Sequence, residues 1–121
     1  MRTFDPTDLL NCLEGDEEAF REIKELFFQS VRCQIDAIYG ALEDRDCAQL
    51  VRRFHTIKGA CANFGAKLMT ELSQELELAA KSGDLDKVRD LLDKLDQEFA
   101  GIKELVSNFK FSANTVEGRH E

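Results

Sequence analysis

The strongest constraint on this chain is how little interrupts it: 121 residues contain one proline and seven glycines. Between those few breakers, apolar residues recur at spacings of three and four. Proline deletes a helical hydrogen bond, and an interior glycine costs about 1 kcal/mol relative to alanine. A chain with few of either and a 3.6-residue apolar period is committed to helix. No stretch shows the sustained two-residue alternation of β-branched residues that a strand would require.

The breakers and acidic caps divide the chain. Asp5 as N-cap and Pro6 as first helical residue predict a short helix over Pro6–Leu13, ended by Gly15. Asp16 caps a second helix running to about Leu42. Phe20, Ile23, Phe27, Val31, Ile38 and Leu42 share one face of it, and Glu17, Glu18 and Glu22 sit at its dipole-favoured start. Phe28, Ile35 and Tyr39 widen that face into a shoulder, expected to pack under the short first helix; an exposed docking surface is the other reading. Glu43-Asp44-Arg45-Asp46 is a turn, and Asp46 caps a third helix that reaches Phe64 and stops at Gly65, a left-handed C′ residue. The fourth covers about Lys67–Lys81, with Leu68, Met69, Leu72, Leu76 and Ala79 inward. Ser82-Gly83-Asp84 breaks it. The last carries Val88, Leu92, Leu95, Phe99, Ile102, Val106 and Phe109 on one stripe. The expected fold is all-α: an antiparallel up-down-up-down four-helix bundle with a short extra N-terminal helix. Residues 1–121 read as one domain, with a bundle core of about 16–109 and a flexible tail over 111–121.

Charge narrows the function. The net charge is −8, with 24 acidic against 16 basic residues, which disfavours nucleic acid as a partner. No apolar run approaches the roughly 18 residues of a membrane span, and the N-terminus lacks a signal pattern. Membrane insertion is therefore not expected, and the chain reads as cytoplasmic. Nothing suggests a coiled-coil extension, so a monomer is expected. Cys12, Cys33, Cys47 and Cys61 form neither a C-x-x-C pair nor a zinc spacing, so reduced thiols are expected, with Cys61 a small hydrophobe on a core stripe. A metal-carboxylate bundle enzyme needs two Glu-x-x-His pairs; two histidines and no such motif set that class aside, and no metal site is expected.

The third helix carries the chemistry. Its core stripe is Leu50, Phe54, Ile57, Cys61 and Phe64. At 100° per residue, His55 lies about 140° from the stripe's centre, Gly59 about 180°, Ala62 about 120° and Lys58 about 80°. Arg52 precedes His55 by one turn on the same outer face. A glycine pointing away from the core is poorly explained by packing and well explained by close approach of another protein's backbone. An exposed imidazole is mostly neutral near pH 7, and its free nitrogen is a competent nucleophile. Lys58 places a cation where a phosphoryl group on that nitrogen would sit, and positioning and charge stabilisation are what phosphoryl transfer demands. Glu77, on the next helix, lies about 140° from its own core centre at Leu72, on the flank rather than inward. It either orients the imidazole by accepting a ring N–H or is a solvated helix residue; the spacing leaves both open. Lys81, one turn later, could add positive potential.

The stretch Phe54-His55-Thr56-Ile57-Lys58-Gly59-Ala60-Cys61-Ala62-Asn63-Phe64-Gly65 closely resembles the signature of histidine phosphotransfer (HPt) domains: H-[ST]-[apolar]-K-G, small residues, then a polar residue, an apolar residue and Gly. Leu76-Glu77-x-Ala79-Ala80-Lys81-x-Gly83-Asp84 resembles the family's second helical block, and the likeness runs from about Phe4 to Phe109. The resemblance implies that His55 accepts a phosphoryl group and that Lys58 partners the phosphate. It implies too that Gly59 gives clearance to a docking receiver domain and that Glu77 faces the histidine. It further implies a phosphorelay carrier between aspartates of response-regulator receiver domains or of a hybrid sensor histidine kinase. Such a carrier has no cofactor of its own, Mg²⁺ belonging to the receiver, and no independent enzymatic activity. Gly59, Ala62, Arg52 and Lys81 would meet the partner. Two departures are small: Cys61 at a small-residue position, and Phe54, on the core stripe, where Ala is common. The alternative, a non-transferring HPt-like adaptor that docks receivers, predicts loss of the histidine or the Lys-Gly pair; both are retained.

Overall fold

The computed structural model describes residues 4–108; Phe109, expected on the last stripe, and the expected tail lie outside them. Five helices follow in order: α1 (Thr7–Leu13), α2 (Glu17–Glu43), α3 (Cys47–Phe64), α4 (Lys67–Lys81) and α5 (Leu85–Asn108). Three aspartates start three of them in the same way. Asp16, Asp46 and Asp84 each accept, at 3.1 Å, the N–H of the residue three positions on: Ala19, Gln49 and Lys87. Each satisfies a donor that the helix cannot pair internally.

The first helix departs from expectation at its start. It begins at Thr7, with Pro6 in the cap position at φ −84° and ψ 14° rather than as the first helical residue. The cause is a tether. The Asp5 N–H donates to the Gly65 carbonyl at 2.8 Å, and Phe4 pairs in a short antiparallel bridge with Ala66. With its backbone held there, Asp5 reaches Thr7 instead, and its carboxylate accepts the Thr7 N–H at 3.0 Å. The hydroxyl and then the N–H of Thr7 hold the Asp5 carboxyl below its ordinary range.

Helices α2, α3, α4 and α5 pack in sequence around the bundle, each close to the next. Cross-helix pairs fix the directions. Arg53 donates to Gln34, while Phe64 stacks on Phe27; His55 faces Glu77, while Lys58 faces Gln74. In each case, moving forward on one helix moves backward on the other, so α3 runs antiparallel to both α2 and α4. The α3 stripe of Leu50, Phe54, Ile57, Cys61 and Phe64 is wholly buried, as is the α5 stripe from Val88 to Val106. Ile23 and Leu68 are only half-buried. Burial pushes the Cys61 thiol up to about 12, so it packs as an apolar side chain.

The shoulder on α2 finds a different neighbour from the expected one. Ile35 is fully buried in the core. Phe28 packs on Phe64 and Phe99, with centroids 5.9 and 5.7 Å away. The Tyr39 hydroxyl donates to Asp96, and this pushes the phenol up to about 12. Arg32 lies 5.2 Å over the Phe99 ring. The shoulder thus closes the seam between α2 and α5 with large side chains. The ring and hydrogen-bond contacts described for Phe28, Arg32 and Tyr39 reach α3 and α5 rather than the seven-residue α1, which has no buried residue.

At one end of the bundle, Phe64 gathers Phe4, Phe20, Phe27 and Phe28 within 4.1–6.3 Å. Gly65, directly after it, holds φ at +95°, and a Cβ there would stand 2.1 Å from the Asp5 carbonyl oxygen. Both the left-handed backbone and the tether therefore require glycine. Gly65→Ala should cost about 1–3 kcal/mol, read as a lower thermal midpoint; an unchanged midpoint would contradict this account of the tether.

Candidate functional site

The outward face of α3 and the adjoining edge of α4 meet around one buried carboxylate. Ile57 and Phe54 are buried, which turns the His55 between them outward; its side chain is 67% exposed. Glu77 was expected on the flank of α4, yet its side chain is only 9% exposed. The reason is that α4 is sandwiched between α3 and α5. Its buried arc therefore widens to take in Met69, Leu72, Ser73, Leu76, Glu77, Ala79 and Ala80.

A carboxylate in that position needs donors or must give up its charge. Three groups converge on it. Lys58 Nζ lies 3.0 Å from Oε1. His55 Nδ1 lies 3.4 Å from Oε2, and Lys81 Nζ 3.8 Å from the same oxygen. Burial pushes the Glu77 carboxyl up. The hydrogen bond from Lys58, its charge, and then the charges of His55 and Lys81 outweigh burial and hold it below the ordinary carboxylate range. An anionic Glu77 beside Nδ1 favours the tautomer with its proton on that nitrogen. Nε2, across the ring, keeps its lone pair for whatever approaches from outside.

The rest of the face is cleared. A Cβ built on Gly59 meets nothing within 4 Å, so none of the described residues requires glycine there. Ala62 and Arg52 are exposed on the same side of the helix; the Arg52 carbonyl accepts the Thr56 hydroxyl at 3.0 Å. The structure thus brings together His55, Lys58, Glu77 and Lys81, and leaves Arg52, Gly59 and Ala62 as open surface around them. It also adds a residue that the sequence reading missed. Gln74 Oε1 accepts from Lys58 Nζ at 2.8 Å. The available signal was its place one turn before Glu77 on the same face, as the lone amide among Glu71, Glu75 and Glu77. Among the described residues, no three His, Cys, Asp or Glu side chains stand close enough together to hold a metal ion.

Comparison with known proteins points one way. The family model described as the Hpt domain matches residues 22–105. The phosphorelay intermediate protein rdeA of Dictyostelium discoideum is 25% identical over 109 residues; the match takes in 90% of this chain, which spans only 43% of that relative's length. The crystal structure of histidine-containing phosphotransfer protein B (HptB) from Pseudomonas aeruginosa superposes with a TM-score of 0.79 at 26% identity, covering 84% of this chain and 89% of that one. The HPT domain of a hybrid histidine kinase from Shewanella shares the fold, with a TM-score of 0.66 at 23% identity over 88% of this chain and 96% of the other.

The Glu77 cluster has a pH signature. A carboxyl held below its unfolded value contributes stability that is complete above the ordinary glutamate value near ~4.3 and is lost as pH falls through the lower folded value. Glu77→Gln should therefore flatten the acid limb of the stability curve relative to the parent. Urea unfolding at successive pH values measures this, and superimposable acid limbs would refute it.

Proposed function

The chain belongs to the Hpt domain family, and from that premise we propose that it is a phosphorelay carrier whose phosphoryl acceptor is Nε2 of His55. The observation that supports this best is the exposed imidazole backed by a buried, anionic Glu77 at 3.4 Å from Nδ1. In the forward step, the Nε2 lone pair attacks the phosphorus of an aspartyl phosphate on a receiver domain. The N–P bond forms, the bond between phosphorus and the carboxylate oxygen breaks, and the aspartate leaves as its carboxylate. Nδ1 keeps its proton, so the ring becomes cationic, and Glu77 stabilises that charge. The reverse step hands the phosphoryl group to a second aspartate. Because the N–P bond joins a cationic leaving group, it remains labile enough to pass on.

Lys58 supplies positive charge beside the acceptor, as phosphoryl transfer requires, and Lys81 adds to it. Gly59 and Ala62 let the partner's backbone come close, and Arg52 meets it on the flank. The partners in this reading are response-regulator receiver domains or a hybrid sensor histidine kinase. The divalent cation of the reaction belongs to the receiver, and the carrier needs no cofactor and has no activity without its partner. Among the described residues no helix is long and apolar enough to cross a membrane, which fits a relay working in the cytoplasm.

Incubation with a phosphorylated receiver and Mg²⁺ should label the parent at His55 and leave His55→Gln unlabelled; equal labelling of the two would end this assignment. Gly59→Gln should move stability and transfer in opposite directions. Replacing an interior helical glycine gains up to about 1 kcal/mol, whereas holding the partner off should slow transfer about tenfold, the equivalent of ~1.4 kcal/mol in the barrier. Stopped-flow transfer beside thermal unfolding checks both signs, and wild-type kinetics in this variant would discard the clearance role.

A further inference from the structure

Lys58 is held from two sides, and the two holders differ in charge. Its ammonium group has three N–H donors and no acceptor, so the Gln74 atom 2.8 Å away must be the carbonyl oxygen of the amide. The second donor goes to Glu77 Oε1 at 3.0 Å. Glu77 and Gln74 stand one turn apart on α4, and Lys58 bridges them while its own side chain stays 25% exposed. Glu77 alone would draw Lys58 into an ion pair and spend its charge there. Gln74, exposed at the rim of the site, pulls the same ammonium outward with a neutral acceptor and adds no negative charge of its own. The surrounding residues make this choice pointed: Glu75 follows Gln74 directly and Glu71 stands three residues before it, and a glutamate in its place would give Lys58 two carboxylates.

We propose that Gln74 is a positioning residue for phosphoryl transfer, holding the Lys58 ammonium at the outer edge of the Glu77 pair so that it can reach a phosphoryl group on His55. This rests on the carrier reading above and deepens it. The third donor of Lys58 is the one available to a phosphoryl oxygen, and the two bonds to α4 set the direction in which it points. Because the Gln74 link is to a neutral oxygen, it can be surrendered when the phosphoryl dianion arrives without stranding a second charge.

The test is a double-mutant cycle on the full chain, with Gln74→Ala, Lys58→Ala and the pair, each checked for helical content. Phosphoryl uptake from a phosphorylated receiver should slow about tenfold in Gln74→Ala, in line with the low end for a lost hydrogen bond to a charged group. In the Lys58→Ala background the same change should have no further effect, since Gln74 acts only through Lys58. Gln74→Glu should slow uptake more than Gln74→Ala does, because it neutralises the cation and repels the phosphoryl group. A second readout needs no phosphoryl donor: hydrogen exchange of the Lys58 ammonium, followed by NMR, should speed up in Gln74→Ala. A merely structural bridge would lower the unfolding midpoint and leave transfer alone, and that result overturns the proposal. So does an unchanged Lys58 exchange rate, or equal slowing with and without Lys58. If the parent itself takes no label at His55, the carrier reading falls and this role falls with it; a parent that labels normally beside variants that match it defeats the Gln74 role alone.

Discussion

A carboxylate taken out of water must find positive partners or take up a proton, and in this protein that requirement organises the face on which the chemistry is proposed. Glu77 is almost fully covered, and its oxygens are met by Lys58, His55 and Lys81. Two of these groups come from α3 and one from α4 itself, so satisfying the one buried charge also orients an imidazole, anchors a lysine and ties α3 to α4 in a definite register. Burying a charge is costly without such pairing. Here the cost is offset by the same groups that phosphoryl transfer would use, and the site is therefore assembled before any partner arrives.

The helix that presents His55 is amphipathic in an unusual sense. One side is an unbroken apolar stripe locked into the core, and the opposite side is stripped down, with Gly59 and Ala62 leaving bare backbone beside the imidazole. A glycine whose Cβ would meet nothing among the described residues is a local loss of helix stability that those residues do not compensate. Such losses are expected where a surface must serve a second molecule rather than the fold.

The remainder of the bundle supplies rigidity at a distance. The aromatic cluster around Phe64 and the tether from Asp5 to Gly65 hold the far end of α3, while the seam between α2 and α5 is closed by Phe28, Phe99, Arg32 and Tyr39 rather than by close backbone approach. With α3 fixed along its length by Leu50, Phe54, Ile57, Cys61 and Phe64, rotation of His55 about the helix axis would require the whole stripe to leave the core.

The division between what the chain's own order determined and what assembly decided follows from a physical limit. Periodicity reports the angle of each residue about its own helix axis, and caps report where a helix may begin. From those alone came the four long helices, the α3 stripe and the outward histidine with Gly59 and Ala62 beside it. The start of α1, the neighbour of the Phe28 and Tyr39 shoulder, the burial of Glu77 and the contact between Gln74 and Lys58 all depend on how many helices surround a given face and in what register. Glu77 lies about 140° from Leu72 whether α4 has one neighbour or two; only the presence of both α3 and α5 turns that flank into an interior. Angle about an axis is a local property of sequence, whereas burial is a property of what stands opposite, and that exists only once the bundle has closed.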